Sequence, residues 1–314
     1  MARIIDLTTA VETNRSAPPG AEKHGSDLYD PLADLLRASA RGERDAFARL
    51  YDLTSAKLLA LTTKILRWRD LGEEALHDAY LRIWRSAHRY EPAKGKAQAW
   101  ITTIARNVAL TMVIRYQREL PNSPLIASAE PTSTLPDPFD QALIAEETRQ
   151  LASCMQRLPD PQMQAIVLAY LEGLTHRELA DRMEIPLGTA KSSVRRGLQG
   201  LRRCMEGQAS SDDLAPLLAG EYSLGVLRGQ ARDRFMRKRS QQAHICHLAD
   251  EWDYRLAALI DLLPETPPAP EVWHEIEKAL PSYTSKRTDK HVWRPVALGL
   301  LALCVVLIAL LAIP

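Results

Sequence analysis

Apolar residues recur at spacings of three and four along most of the chain, from Leu32, Leu35 and Leu36 to Phe47, Leu50, Tyr51 and Leu58. That is the period of helices with one buried face. Strand-like alternation is hard to find, so the pattern predicts an all-α protein. The helical stretches form three blocks, over about residues 27–119, 141–205 and 214–283. The proline-rich segment LPNSPLIASAEPTSTLPDPFD, residues 120–140, reads as a flexible linker between the first two. A short polar joint at 206–213 precedes the third, and residues 1–26, without periodicity, are expected to be a disordered tail.

The sequence closes on VALGLLALCVVLIALLAIP, Val296–Pro314, which carries no charge. With Pro295 this makes about 20 residues, enough at about 1.5 Å each to cross a hydrocarbon core of about 30 Å. A transmembrane helix over 295–313 is therefore expected. A buried core helix would usually be shorter and interrupted by polar residues. Lys286, Arg287, Lys290 and Arg294 crowd the basic segment 284–294 before it, and no charged side chain follows. The positive-inside rule then keeps everything before the span in the cytoplasm.

Over 314 residues the formal net charge is +1, so total charge points to no partner and only its distribution can. The four cysteines, Cys154, Cys204, Cys246 and Cys304, lie far apart with no CxxC spacing. That argues against a disulfide framework or a zinc ribbon and suits a reducing compartment. No catalytic constellation, metal site or cofactor motif is expected.

The second block contains LPDPQMQAIVLAYLEGLTHRELADRMEIPLGTAKSSVRRGLQGLRR. Thr175, with Glu178 three residues on, makes a capping box. Leu179, Ala180 and Met183 give that helix a buried side, Ile185–Gly188 is the expected turn, and Thr189 opens the next helix. There Ala190, Val194, Leu198 and Leu201 share one stripe, opposite Lys191, Ser192, Arg195, Arg196, Gln199, Arg202 and Arg203. This is a helix-turn-helix with a DNA-reading face. Thr189, Ser192 and Arg196 are placed for base edges, and Lys191, Arg195 and Arg202 for phosphates. A merely solvated charged face is the alternative that the turn and capping chemistry disfavour.

The first block carries AFARLYDLTSAKLLALTTKILRWRDLGEEALHDAYLRIWRSAHRYEPAKGKAQAWITTIARNVAL. It closely resembles region 2 of the extracytoplasmic-function (ECF) sigma factors of bacterial RNA polymerase, a branch of the sigma-70 family. The second block resembles their region 4. The resemblance implies a region 2 bundle over 27–119 that binds core polymerase and the −10 element, and a region 4 helix-turn-helix over 141–205 that binds the −35 element. It implies that Glu73–Trp84 docks on the clamp helices of the polymerase, through Asp78, Tyr80, Leu81 and Trp84, with His77 where glutamine is usual. Glu91–Gln98 matches the loop that captures a flipped promoter base, and Ala99–Asn107 the helix beside the melted −10 element. Lys94, Lys96, Arg106, Asn107 and Arg115 are then candidate DNA contacts, in keeping with the cations that an unstacked strand requires. Trp100, at helical spacing with Ile101, Ile104 and Ala105, reads as core. Thr111 stands where the family has an acid. A linker of about 24 residues reaches about 80 Å extended, enough for promoter elements two DNA turns, about 70 Å, apart.

The third block predicts a short helix with Leu214, Leu217, Leu218 and Tyr222. A long one follows, with Ile245, Leu248, Trp252, Leu256, Leu259 and Leu263, and a last one with Val272, Trp273, Ile276 and Leu280. AGEYSLGVL and PPAPEVWHEIEKAL ahead of a single span resemble the cytoplasmic domain of anti-sigma factors of the anti-sigma-K class. Tyr222, Trp252, Leu256 and Trp273 are the candidate anti-sigma contacts. The zinc-binding class would need His-x-x-x-Cys-x-x-Cys, which is absent: His244 and His247 share a helix face, but Cys246 points elsewhere. The resemblance implies a sigma factor held at the bacterial cytoplasmic membrane by a fused inhibitor, with core polymerase and promoter DNA as partners. A joint of about 10 residues spans about 15–20 Å and gives an effective concentration of order mM, which permits contact in cis or with a neighbouring copy. Such anti-sigma factors normally continue into an extracytoplasmic sensor, whereas this sequence stops at Pro314. The competing reading is a membrane-anchored helix-turn-helix regulator that never joins polymerase.

Overall fold

A computed structural model describes residues 30–119, 146–206 and 214–281, and among them every regular element is helical. The expected tail 1–26, linker 120–140, basic segment 284–294 and membrane span 295–313 lie outside the described residues. Among those described, no helix is long and apolar enough to cross a membrane.

The first block folds as α1 (Pro31–Ala40), α2 (Arg44–Leu66), α3 (Arg69–Ser86) and α4 (Ala97–Glu119). The Asp30 carboxylate caps α1 by accepting from the amides of Leu32 and Ala33, two of the donors a helix start leaves unpaired. Its other oxygen accepts from Ala97 N at 3.1 Å, tying the start of α4 to α1. Phe47 meets Tyr80 and Trp84 edge-on at centroid distances of 5.9 and 5.0 Å, the preferred aromatic geometry, and fixes α2 on α3.

The second block gives α5 (Glu146–Gln156), α6 (Asp160–Leu171), α7 (His176–Arg182) and α8 (Leu187–Glu206). The capping box is present in both directions: Glu178 N donates to Thr175 Oγ1 and Thr175 N to the Glu178 carboxylate. The turn falls earlier than Ile185–Gly188. Glu184 adopts a left-handed φ of 54°, Ile185 and Pro186 follow, and α8 begins at Leu187. Gly188 lies within the helix.

Cysteine spacing is misleading here. Cys154 on α5 and Cys204 on α8 are 50 residues apart, yet their Cα atoms are 5.7 Å apart and they form a disulfide. Packing of α5 on α8 brings together residues that no short motif links.

The third block has α9 (Leu214–Ser223), α10 (Gly229–Gln241), α11 (Ala243–Ala257), a 3-10 turn at Ala258–Leu262, and α12 (Pro270–Ala279). The long helix expected there begins only at Ala243, because extended Gln242 (φ −124°, ψ 111°) separates it from α10. Its apolar seam continues into the 3-10 turn. Nor does this block stand apart as its own bundle. While α9 and α11 pack together, α9 also lies on α8, α11 on α4 and α12 on α3, and all three blocks share one apolar core.

Candidate nucleic-acid and polymerase interfaces

Of the residues expected on the polymerase-docking face, Asp78 is exposed on α3 and Leu81 half-buried. Tyr80 is fully buried, its hydroxyl 2.6 Å from Thr54 Oγ1, and burial drives its pKa up. Trp84 is buried against Phe47. Both therefore build the bundle instead of lying on its face, because an aromatic at a helical core position gains more from burial than from waiting for a partner.

Part of the surface of α2 and α3 is covered by residues 263–280 of the same chain. The Trp273 ring of α12 packs 4.8 Å from Tyr51 and 6.2 Å from Phe47. Around it runs a polar seam made largely with backbone. Lys57 Nζ donates to Leu263 O at 2.7 Å, Arg69 to Pro267 O at 2.9 Å and Arg44 to Leu280 O at 3.0 Å. Thr266 N donates to Ala56 O at 3.2 Å and Ala269 N to Glu73 Oε1 at 3.3 Å.

Sequence reasoning placed Arg106 on DNA. The structure places it elsewhere: it is 3% exposed, at the meeting point of α4, α6 and α9. Nε donates to Tyr170 O at 2.9 Å, Nη1 to Ser223 O at 2.7 Å, and Nη2 to Ala169 O at 3.2 Å and Leu224 O at 2.9 Å. These carbonyls lie at the C-terminal ends of α6 and α9, where helices leave acceptors unpaired and their dipoles turn negative. The Tyr170 ring lies 4.3 Å from the guanidinium carbon. Burial pulls the Arg106 pKa down to about 10, with Tyr170 and Asp253 opposing. Gly225, at φ +71°, lets the end of α9 come this close, since a Cβ there would sit 2.9 Å from Leu110 Cδ1.

The other region 2 candidates remain nearer the surface. Arg115 is exposed, 3.4 Å from the Glu74 carboxylate of α3. Thr111 Oγ1 donates back one turn to Asn107 O. Asn107, Lys94, Lys96 and Trp100 line a cavity of about 330 Å³ beside the 91–98 loop, whose opposite wall is α11. Trp100 thus packs 5.8 Å from Tyr90 and also borders that cavity, part core and part wall.

On α8, Thr189, Lys191 and Arg196 are exposed, while Ser192 is half-buried with its hydroxyl donating to Thr189 O at 2.9 Å. Arg202 is half-buried. Arg195 Nε donates at 2.7 Å to Glu221 of α9; the two side chains are 56% and 4% exposed. A buried carboxylate thus faces the recognition helix, and only its cationic partner reaches solvent.

Of the four candidate anti-sigma contacts, Trp273 touches region 2 aromatics directly. Trp252 is buried with Nε1 donating to Pro216 O at 2.8 Å, within its own block. It also backs Gly220, against which Leu198 of α8 packs. Leu256 is fully buried on α11. Tyr222 faces inward, stacked on Phe235 at 4.7 Å with Arg239 donating to its hydroxyl. Glu221, its neighbour in AGEYS, makes the ion pair to the helix-turn-helix that the aromatic pattern did not single out. Its signal in the sequence was an acid in an otherwise apolar helix. Among the described residues, no cluster of side chains suits a metal ion.

Residues 50–119 match the family described as Sigma-70 region 2, and residues 148–201 that described as Sigma-70, region 4. A protein of Mycobacterium ulcerans described as ECF RNA polymerase sigma factor SigK is 36% identical over 191 residues, 61% of this chain and 98% of that protein. Its namesake from Mycobacterium tuberculosis is 36% identical over 183 residues, 57% of this chain and 96% of that protein. That of Mycolicibacterium vanbaalenii is 36% identical over 174 residues, 55% and 89% of the two chains.

Proposed function

We propose that this chain, which belongs to the ECF sigma factors of the sigma-70 family, is such a factor fused to an anti-sigma-like segment that holds it closed at a membrane. Sigma factors are transcription regulators, not enzymes, and work with core RNA polymerase and promoter DNA. In this reading residues 27–119 bind polymerase and the −10 element, and 141–205 bind the −35 element. Residues 214–283 inhibit, and 295–313 anchor the whole by a single pass, with the domains before it in the cytoplasm.

One observation carries the inhibitory reading: each helix assigned a task in initiation has a helix of the third block packed on it. α12 lies on α3, α11 on α4 and α9 on α8. Asp78 and Leu81 are the polymerase contacts this leaves best placed. Thr189, Lys191, Ser192, Arg195, Arg196 and Arg202 serve DNA from α8, and Lys94, Lys96, Asn107 and Arg115 from region 2. Arg106 holds the closed form together.

The test is run-off transcription from fragmented genomic DNA with purified core polymerase. Deleting residues 208–314 is expected to raise transcription at least about tenfold, the effect of losing an inhibitor held at millimolar effective concentration. Unchanged transcription would refute autoinhibition. Co-purification of the deleted protein with core polymerase, weakened by Asp78→Ala, separates this reading from that of an operator-binding regulator independent of polymerase.

A further inference from the structure

The wall that α11 presents to the 91–98 loop has a particular chemistry. The loop side offers Lys94, Lys96 and Arg89 with the rings of Tyr90 and Trp100. Cations interleaved with aromatic faces are what a protein uses to hold single-stranded nucleic acid, phosphates on the former and bases on the latter. Facing them from α11 are two carboxylates, Asp250 and Asp253, and one planar ring, Tyr254.

The ring sits deep in the loop. A Cβ on Gly95 would lie 2.7 Å from Tyr254 Cδ2 and 3.2 and 3.3 Å from Cε2 and Cγ, so the ring rests on the bare glycine backbone. Gly95 also has φ +144°, which an L side chain resists. Its carbonyl accepts from the Tyr90 hydroxyl at 3.1 Å, fixing the loop under the ring. The carboxylates are held by Arg239 of α10, which also lines the cavity: it donates to Asp250 at 2.6 Å and approaches Asp253 at 4.0 Å. Lys94 pairs with Glu91 at 2.9 Å, and Asp250 adds to the field that raises its pKa.

We propose that this face of α11 imitates a stretch of single-stranded DNA, with Tyr254 in the place of an unstacked base and Asp250 and Asp253 in the place of its phosphates. Single-stranded DNA and α11 then exclude each other from the 91–98 loop, and DNA is itself a ligand that opens this part of the closed form. The proposal rests on the inhibitory reading above but names a contact distinct from the one that covers α3.

The test uses the full chain in detergent and a fluorescein-labelled, mixed-sequence 12-nucleotide single strand, followed by anisotropy, with a duplex of the same length as control. Tyr254→Ala is expected to tighten single-strand binding by about fivefold or more, the range of one base–aromatic stack, with duplex binding unchanged. Asp250→Asn with Asp253→Asn is expected to act in the same direction. Tyr254→Phe keeps the ring and is expected to match wild type. Excess unlabelled single strand is expected to speed amide exchange in α11 and leave α12 protected.

Single-strand affinity unchanged in Tyr254→Ala, together with unchanged exchange in α11, overturns the imitation. So does Tyr254→Phe opening as far as Tyr254→Ala, because the ring would then not be the feature that matters. Trp273→Ala tests the other contact by core-polymerase binding. If wild type binds polymerase as tightly as Trp273→Ala, the inhibitory reading fails whatever DNA does. If Trp273→Ala binds more tightly while Tyr254→Ala changes nothing, inhibition stands and the imitation falls.

Discussion

The two sigma modules are gripped by one segment in different ways. Around region 2 the grip is wide: Trp273 among aromatics, five polar contacts involving backbone along the seam, and the Tyr254 ring on Gly95. On the helix-turn-helix, α9 lies along one side of α8, with the Arg195–Glu221 ion pair, while Thr189, Lys191 and Arg196 stay exposed. Region 2 is thus the module more thoroughly covered, although Asp78 stays exposed on α3, and the helix-turn-helix the less. On the inhibitory reading proposed above, a closed molecule that still touches duplex DNA but recruits polymerase weakly is the expected consequence.

That contrast can be broken at its hinge first. Arg106 serves both modules, and Arg106→Ala leaves four buried carbonyls short of a donor. A loss of about 3–5 kcal/mol is expected, as for removing one side of a buried charged network. Urea unfolding of the full chain would check it, and the two modules should melt separately in the variant. Next, reduction of Cys154–Cys204 is expected to cost the helix-turn-helix about 2–4 kcal/mol through loop entropy and to leave region 2 untouched. Exchange of amides in α5 and α8 against those in α2 and α3 reads that difference.

Smaller effects sharpen the comparison. Glu221→Gln removes the Arg195–Glu221 ion pair, whose cationic half is mostly in solvent, so no more than about 1 kcal/mol is expected. Its readout is duplex binding by the full chain, which should tighten slightly while polymerase binding stays as in wild type. The smallest concerns His176 at the start of α7, whose pKa burial holds below its ordinary value. The folded state then binds fewer protons than the unfolded one. Stability from this group is complete above about pH 6.5 and is lost as pH falls through the folded-state pKa. Melting temperature against pH should show that slope, and His176→Gln should flatten it.

What the sequence disclosed follows from how local each signal is. The capping box at Thr175 and Glu178 and the apolar stripes of α8 and α12 depend on neighbours three or four residues away, and they stand as read. The break at Gln242 carries neither glycine nor proline, and the turn after Met183 is made by a glutamate at positive φ, so neither announced itself. Arg106 could not have been placed from sequence, because its partners are carbonyls 63 to 118 positions away and carbonyls have no residue identity. The disulfide was hidden for the same reason: only the packing of α5 on α8 makes Cys154 and Cys204 neighbours. The three stretches of helix were legible, but not that they would share one apolar core. Nor was it legible that α9, α11 and α12 would each settle on a different helix of the first two blocks.

The guanidinium at the junction of three segments sets the manner in which the assembly comes apart. Drawing the end of α9 away takes two of its four acceptors at once and leaves a positive charge half-stripped in a dry interior. Intermediate positions are therefore expected to be worse than either extreme, so that any release of α9 would behave as a toggle, not as a dimmer.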